Sequence, residues 1–335
     1  MSERQLKTTV ALVLFNRPDM TEKVFQMVRE VKPRKLLLIA DGPRPNHPED
    51  AEKCAAARAV VEQVDWDCEV LRNYSDVNLG MRRREKSGFD WVFSEVEEAI
   101  ILEDDTLPDP TFFRFCEELL EKYRNDTRVW LISGTNFQFG RKRTKDTYYF
   151  GKFGFTWGWA TWRRAWDFYD EEMKHWPKVR DEGWLKDILG DTKAERWWSK
   201  LFQETYEGSI STWDYQWLLS WWLQGGLSIV PSVNLVSNLG FYPDATNTKD
   251  ASSPLANIPV EPMAFPLRHP VFIVPDTAAD HRLQKVWIPP LRSRANSRAK
   301  ANLKKWLVAL KLVDERPGLE RRVKEKIKRL KIYRG

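Results

Sequence analysis

The acidic triplet Glu103–Asp105 follows directly on the apolar run Ala99–Leu102, which reads as a buried strand. Three carboxylates at the end of such a strand are costly unless something compensates their charge. A divalent cation does so, because Mg²⁺ and Mn²⁺ prefer oxygen ligands and leave coordination sites for substrate phosphates. The alternative is a solvated acidic turn that caps the next helix, although Asp109 can already cap a helix over Thr111–Tyr123. The spacing favours the metal site slightly over the turn.

Polar residues also follow the first two apolar runs of the chain. Asn16 and Arg17 come after Thr9–Leu14, and Asp41 comes after Lys35–Ala40. Apolar strands that alternate with helices indicate a parallel sheet with helices on both faces. Ligands of such sheets bind at the carboxyl ends of the strands. We therefore expect these polar residues and the acidic triplet to lie at one edge of the sheet.

The apolar spacing between these strands predicts the helices that position them. Helices are predicted over residues 20–31, 49–64, 83–95 and 111–123, with Asp19 as the cap of the first, and a third strand over residues 68–72. The predicted fold class is α/β, a Rossmann-like, mostly parallel sheet flanked by helices, with a helical basic C-terminal tail. Residues 1–250 are predicted to form the catalytic domain, 251–290 an extended Pro-rich wrap or linker, and 291–335 the tail.

The segment Trp157–Trp222 contains 12 of the 17 tryptophans. Most tryptophans at this density are expected in the core, since large aromatic side chains dominate buried contacts. Only those that fall in loops are candidates to line a sugar pocket, namely Trp157, Trp159 and Trp213.

Several segments together resemble GT-A fold glycosyltransferases, in particular the inverting N-acetylglucosaminyltransferase I type and bacterial family 2-like relatives. AIILEDDTLPDPTFFRFCEELLEKY is similar to their metal-binding strand and following helix. The other matching segments, in the family's order, are NRP, DGP, NLGMRRREKSGFDWVF, FGFTWGWATWRRAWDFYD, STWDYQW and PSVNLVSNLGF. They cover roughly residues 9 to 250, and their order is more specific than any one of them.

The resemblance implies roles on the donor side of a glycosyl transfer. Asp105 would coordinate the Mn²⁺ or Mg²⁺ that bridges the donor diphosphate, with Asp104 beside it near the ribose as a second candidate ligand. Glu103 would face the transferred sugar. The nucleoside would be held by Asn16, Arg17 and Asp41, and the diphosphate by Arg82, Arg83 or Arg84. For the three arginines, a solvated basic helix start is the alternative.

The resemblance also implies an acceptor side. Asp214 would take the proton of the acceptor hydroxyl, Trp213 would wall the donor sugar, and Trp157, Gly158 and Trp159 would shape the pocket. Without the family match, Asp214 reads equally well as a helix cap or as part of an ion pair. Bacterial relatives often carry a histidine where this chain has Asn247, so the resemblance implies either that Asn247 is a weaker metal ligand or that water and diphosphate complete the metal shell.

Charge and cysteine content bear on location and partners. The net charge is +6, but residues 291–335 hold 16 Lys and Arg against 4 Asp and Glu, so the remainder is acidic. Such a tail either presses on an anionic membrane surface or packs on the domain with its lysines in water. Nucleic acid is disfavoured because no stacking or groove-reading module accompanies the charge. Three cysteines, an odd number in segments predicted as helix or strand, favour a reducing cytoplasm over a disulfide framework.

The function predicted from the sequence is therefore a metal-dependent inverting glycosyltransferase. It would move a sugar from a nucleotide sugar, with UDP favoured by resemblance, to a glycan or lipid-linked acceptor in bacterial surface glycoconjugate assembly. One alternative is a nucleotidyltransferase, against which the absence of a Gly-rich loop after Val10–Leu14 counts. The other is a non-catalytic carbohydrate-binding or scaffold protein, which would have lost the acidic triplet or Asp214.

Overall fold

The computed structural model describes residues 5–241 and 253–288, and these ranges contain ten strands and ten helices. The strands are β1 Val10–Leu14, β2 Lys35–Ala40, β3 Glu69–Tyr74, β4 Glu98–Glu103, β5 Thr106–Pro108, β6 Val129–Ser133, β7 Tyr148–Gly151, β8 Trp159–Trp162, β9 Leu227–Pro231 and β10 Val236–Asn238. The helices are α1 Pro18–Val31, α2 Glu49–Val61, α3 Met81–Glu95, α4 Thr111–Tyr123, α5 Arg163–Trp166, α6 Trp176–Asp181, α7 Trp184–Leu189, α8 Thr192–Tyr206, α9 Asp214–Leu223 and α10 Thr277–Trp287.

Eight of the strands form one sheet in the order β3-β2-β1-β4-β8-β6-β9-β7. The first four pair in parallel, and β1 is buried at every residue because both faces of the sheet are covered. This confirms the predicted α/β class, a mostly parallel sheet flanked by helices. One strand in the middle, β8, runs antiparallel to both of its neighbours, β4 and β6.

Two predicted elements have the observed bounds, β2 and α4. The predicted start of α1 is wrong. This helix begins at Pro18, and Asp19 lies in its first turn rather than capping it. The reason is that proline at the first helical position lacks only an N–H that would have had no helical partner, and its fixed φ suits the helix.

A second sheet of two antiparallel strands, β5 and β10, lies next to the end of β4. Asn238 is paired with Thr106, and the Leu239 N–H donates to the carbonyl of Asp105 at 2.8 Å. The chain after β10 is thereby held against the acidic triplet, although more than 130 residues separate the two in sequence.

Residues 253–288 pack along the sheet and include one helix that the sequence analysis does not predict, α10. Met263 and Leu267 are buried in the main core, and the Met263 N–H donates to the Thr111 hydroxyl at 2.8 Å. Among the described helices, none has the length and apolarity needed to cross a membrane. The basic tail at 291–335 and Asn247 lie outside the described residues, and the predicted domain boundaries stay a prediction.

Candidate active site

The carboxyl ends of β1, β2 and β4 open into a cavity of about 290 Å³, which we call the carboxylate cavity. Its charged and polar lining residues, with one tryptophan, are Arg17, Asp41, Arg44, Asn78, Arg84, Glu85, Glu103, Asp104, Asp105, Asn238 and Trp157. Seven of these were expected at the site from the sequence: Arg17, Asp41, Arg84, Glu103, Asp104, Asp105 and Trp157. They meet here because parallel strands end at the same edge of the sheet.

Arg17 joins the two aspartates at the end of β4. Its Nη1 lies 3.1 Å from Asp104 Oδ1 and 2.7 Å from Asp105 Oδ2. Asp104 Oδ2 also accepts the backbone N–H of Phe15 at 2.9 Å. The residues that follow β1 and those that follow β4 are therefore fixed to one another by charge-assisted hydrogen bonds.

Burial raises the pKa of both aspartates, against the opposing effect of the Arg17 guanidinium. The pKa of Asp104 rises to about 6. A buried carboxylate with a raised pKa gains from any cation that comes close, because positive charge favours the ionised form. A cation in this part of the cavity would therefore favour the ionised form of both aspartates, as Arg17 already does.

Two features at Asp105 fit a bound divalent cation. Its Oδ1 is buried without a hydrogen-bond partner in the described part of the chain. Gly240 faces its other oxygen, and an added Cβ at that glycine would lie 2.2 Å from Asp105 Oδ2. Residues 5–241 and 253–288 offer no set of three side chains arranged as a metal cage. The unpartnered Oδ1 of Asp105, with Asp104 next to it, fits a cation such as Mg²⁺ that one or two carboxylates hold together with substrate phosphates.

Asp41, at the end of β2, holds the loop that follows β3. Its Oδ1 accepts the N–H groups of Gly42 and Leu79, and its Oδ2 accepts those of Gly80 and of the Asn78 amide, all within 3.0 Å. The predicted contact of Asp41 with a nucleoside stays a prediction. What the structure adds is that this carboxylate shapes the rim of the carboxylate cavity.

Asn16 is turned towards a neighbouring ion pair rather than into the carboxylate cavity. Its amide donates to Asp50 Oδ1 at 2.7 Å, and Asp50 is also bound by the guanidinium of Arg44. Arg44 does line the cavity, and it lies over the ring of Phe15 at 5.6 Å. Asn16 is therefore linked to the cavity lining through Asp50 and Arg44, and its predicted contact with a nucleoside stays a prediction.

The three arginines at the start of α3 have different surroundings. Arg82 donates to the carbonyl of Glu171 at 2.8 Å, and Arg83 is exposed to solvent. Arg84 is buried, lines the carboxylate cavity, and donates to Asn73 with one Nη group while its Nε has no partner among the described residues. Of the three, Arg84 is the one placed to meet an anionic ligand in this cavity.

Glu85 is a cavity residue that the sequence analysis missed. It is 5% exposed, and its Oε2 has no hydrogen-bond partner in the described ranges. Burial, followed by the charges of Glu103 and Asp214, raises its pKa well above the ordinary value. The helical repeat contained a signal for this residue. Gly88 and Phe89 are buried positions of α3, and Arg84 and Glu85 lie one helical turn before them on the same face.

Asp214 lies at the first residue of α9 and lines a second, smaller cavity of about 60 Å³, the aromatic cavity. Trp157 lines both cavities. Burial raises the pKa of Asp214, while the Thr212 hydroxyl and the Tyr215 N–H, which donate to Oδ1, oppose that rise. The arrangement is a buried carboxylate held in place by local hydrogen bonds, with its charge felt by the carboxylates of the first cavity.

The remaining predicted residues pack behind the two cavities. Trp159 is fully buried and stacks on Trp213 at a centroid distance of 5.5 Å, and Trp213 is itself 3% exposed. Gly158 has a φ of +63°, and an added Cβ would lie 2.6 Å from a methyl carbon of Val236. These three residues shape the site through packing, and Trp157 is the predicted tryptophan that faces open space.

Neither a protein family nor a curated protein matches the chain. Among solved structures, it is similar to mannosyltransferase PcManGT from Pyrobaculum calidifontis in complex with GDP-Man and Mn²⁺. That match has 15% identity over 48% of this chain and 45% of that chain, with a TM-score of 0.33. It is also similar to UDP-glucose pyrophosphorylase complexed with UDP-glucose, with 8% identity over 48% of this chain and 70% of that chain, and a TM-score of 0.25.

The chain thus spans less than half the length of the mannosyltransferase. Both of these proteins are shown with a nucleotide sugar. Similarity at this level does not decide the chemistry of this chain, for which the geometry of the two cavities is the relevant observation.

Proposed function

We propose that this chain is a divalent-cation-dependent inverting glycosyltransferase that uses a nucleotide sugar as donor. The observation that carries the proposal is the pairing of two cavities that share Trp157. One brings Asp104 and Asp105 together with buried arginine, as a metal-bound diphosphate requires. The other presents Asp214, a buried carboxylate of raised pKa, as an inverting transfer requires for its base.

On the donor side, Asp105 and Asp104 would hold the cation, which when bound neutralises the charge of the leaving diphosphate. Arg84, which is buried and also lines the carboxylate cavity, would add positive charge to neutralise the same diphosphate. Glu85 and Glu103 line the same cavity and would contact the hydroxyls of the transferred sugar.

On the acceptor side, Asp214 would take the proton of the attacking hydroxyl. The acceptor oxygen forms a bond to the anomeric carbon, the bond from that carbon to the diphosphate oxygen breaks, and the proton passes to Asp214. The electron pair of the broken bond leaves with the nucleoside diphosphate. The burial of Asp214 makes it a stronger base than an exposed aspartate, because its raised pKa lies nearer to the operating pH.

Calorimetric titration of the full chain with UDP and with GDP, each with and without Mn²⁺, tests the proposed donor class. UDP is the expected ligand on the strength of the resemblance, and its binding should require the cation, since the aspartates cannot bind a diphosphate without one. Metal-independent binding, or no binding of either nucleotide, would contradict the proposal. The scaffold interpretation would then be the better one.

The transfer rate should decline as the pH is lowered through the raised pKa of Asp214, because only the ionised carboxylate accepts a proton. The decline should begin at a higher pH than for an ordinary aspartate. Measuring kcat against pH at saturating donor and Mn²⁺ checks this. A kcat that stays flat through the acid range would argue against a buried carboxylate base.

A further inference from the structure

One segment of the chain carries large apolar side chains that the described residues leave mostly uncovered. Val271, Phe272 and Val274 are 85%, 74% and 65% exposed, the highest values among the large apolar side chains of the described residues. Ile273 between them is partly buried and packs against the main core. The segment is therefore anchored through one side chain while its neighbours are held outward in water. Adjacent exposed apolar residues of this kind mark interaction surfaces.

A basic loop runs alongside this segment and is tied to it at both ends. The Thr147 N–H donates to the Arg268 carbonyl at 3.0 Å, and the guanidinium of Arg268 donates to the Lys145 carbonyl at 2.8 Å. At the other end, Arg143 forms a bidentate pair with Asp276 at 2.9 Å. These contacts place the exposed apolar residues next to the loop over 139–147.

The charge of this surface is opposite to that of the rest of the body. Residues 139–147 and 268–276 together contain five Lys and Arg and two Asp and Glu, whereas the chain up to residue 290 is acidic overall. Arg143 and Asp276 neutralise each other, which leaves the four basic residues Arg141, Lys142, Lys145 and Arg268 against Asp146, a net charge of +3. All four of these are exposed.

From this combination, we infer that Val271, Phe272 and Val274, with Lys142, Lys145 and Arg268, form a docking surface for an anionic lipid bilayer. The apolar side chains would enter the boundary between headgroups and acyl chains, and the basic side chains would meet the headgroup phosphates. A membrane fits better than a protein partner, because a short apolar tip rimmed by cations suits a fluid anionic surface. Its residues belong neither to the predicted tail nor to the lining of either cavity, so the inference does not depend on the proposed transfer reaction.

An environment-sensitive dye at the apolar tip tests the inference directly. Cys54 and Cys116 are buried, so the full chain carrying Cys68→Ser and Phe272→Cys can be labelled with a nitrobenzoxadiazole dye at position 272. We expect a blue shift and a rise in emission with vesicles of phosphatidylcholine and phosphatidylglycerol, and no change with phosphatidylcholine alone. The matched control is Tyr206→Cys in the same background, at an exposed aromatic of α8, where emission should not change.

Vesicle co-sedimentation of unlabelled full-length chain measures the strength of the contact. The triple variant Val271→Ser, Phe272→Ser and Val274→Ser should weaken binding by about tenfold or more. Replacing Lys142 and Lys145 by Gln should weaken it by about fivefold per lysine. The basic tail is unchanged in every variant, so a loss seen here belongs to this surface.

Three outcomes would overturn the inference. Sedimentation with anionic vesicles while the dye at 272 stays unchanged would place the membrane contact elsewhere. The absence of any vesicle binding would remove the lipid partner altogether. A dye shift that appears without vesicles and grows with protein concentration would show that a second copy of the chain covers this surface.

Discussion

Replacing Asp105 by alanine is expected to abolish cation-dependent nucleotide binding, with a loss in affinity of at least about 100-fold. Asp105 supplies the buried oxygen without a partner and the one that faces Gly240, so its removal takes away the main candidate ligand. Without Asp105, the Arg17 guanidinium pairs with Asp104 alone. This pairing compensates the remaining carboxylate and lowers the affinity of the carboxylate cavity for any cation. Calorimetric titration with UDP and Mn²⁺ measures the loss.

Two further variants keep this prediction testable. Asp105→Asn preserves the shape of the side chain, so it separates loss of charge from loss of packing. Asp187→Ala removes an exposed carboxylate on α7 and should bind nucleotide and cation as the unaltered chain does. If folded Asp105→Ala and Asp105→Asn both retained cation-dependent binding, the cation would have to be held by other residues.

Replacing Asp214 by asparagine is expected to lower kcat by about 10²- to 10⁴-fold and to leave nucleotide binding unchanged. Asparagine has nearly the same shape, and its carbonyl oxygen can still accept from the Thr212 hydroxyl and the Tyr215 N–H. What it cannot do is accept the proton of the acceptor hydroxyl. A transfer assay and the calorimetric titration, made on the same preparation, separate the two effects.

Asp280 provides the matched control for Asp214. It is also a buried aspartate whose pKa burial raises, to about 7, but it lines neither the carboxylate cavity nor the aromatic cavity. Asp280→Asn should therefore retain kcat as long as the chain stays folded. Full transfer activity in folded Asp214→Asn would remove Asp214 as the base and would favour a mechanism without inversion.

Local sequence patterns were enough to find the elements that carry the donor side. The apolar runs that form β1, β2 and β4 indicate strands that are buried on both faces. The polar residues after each run mark the end of that strand. The bounds of β2 and α4 were predicted to the residue. The helix start at Pro18 was missed because aspartate is a common capping residue, so Asp19 was assigned as the cap.

Patterns that depend on orientation were harder to interpret. Three consecutive arginines at the start of α3 point in three directions, and only the packing of that helix on the sheet selects Arg84 for the cavity. Glu85 was overlooked for the same reason, since a charged residue is rarely assigned to the buried face of a helix. Trp159 was placed in a loop, whereas it lies in β8, which the sequence did not reveal as an antiparallel insertion between β4 and β6.

The sequence by itself determined the class of the fold and the chemical types at the strand ends, because both depend on the spacing of neighbouring residues. Only the tertiary structure decided which of those groups meet. It brought Gly240 to Asp105 through β10, joined Arg17 to both aspartates, and set Asp214 beside Trp157. These contacts link residues that are far apart along the chain, and they depend on strand order and side-chain packing, which no local pattern encodes.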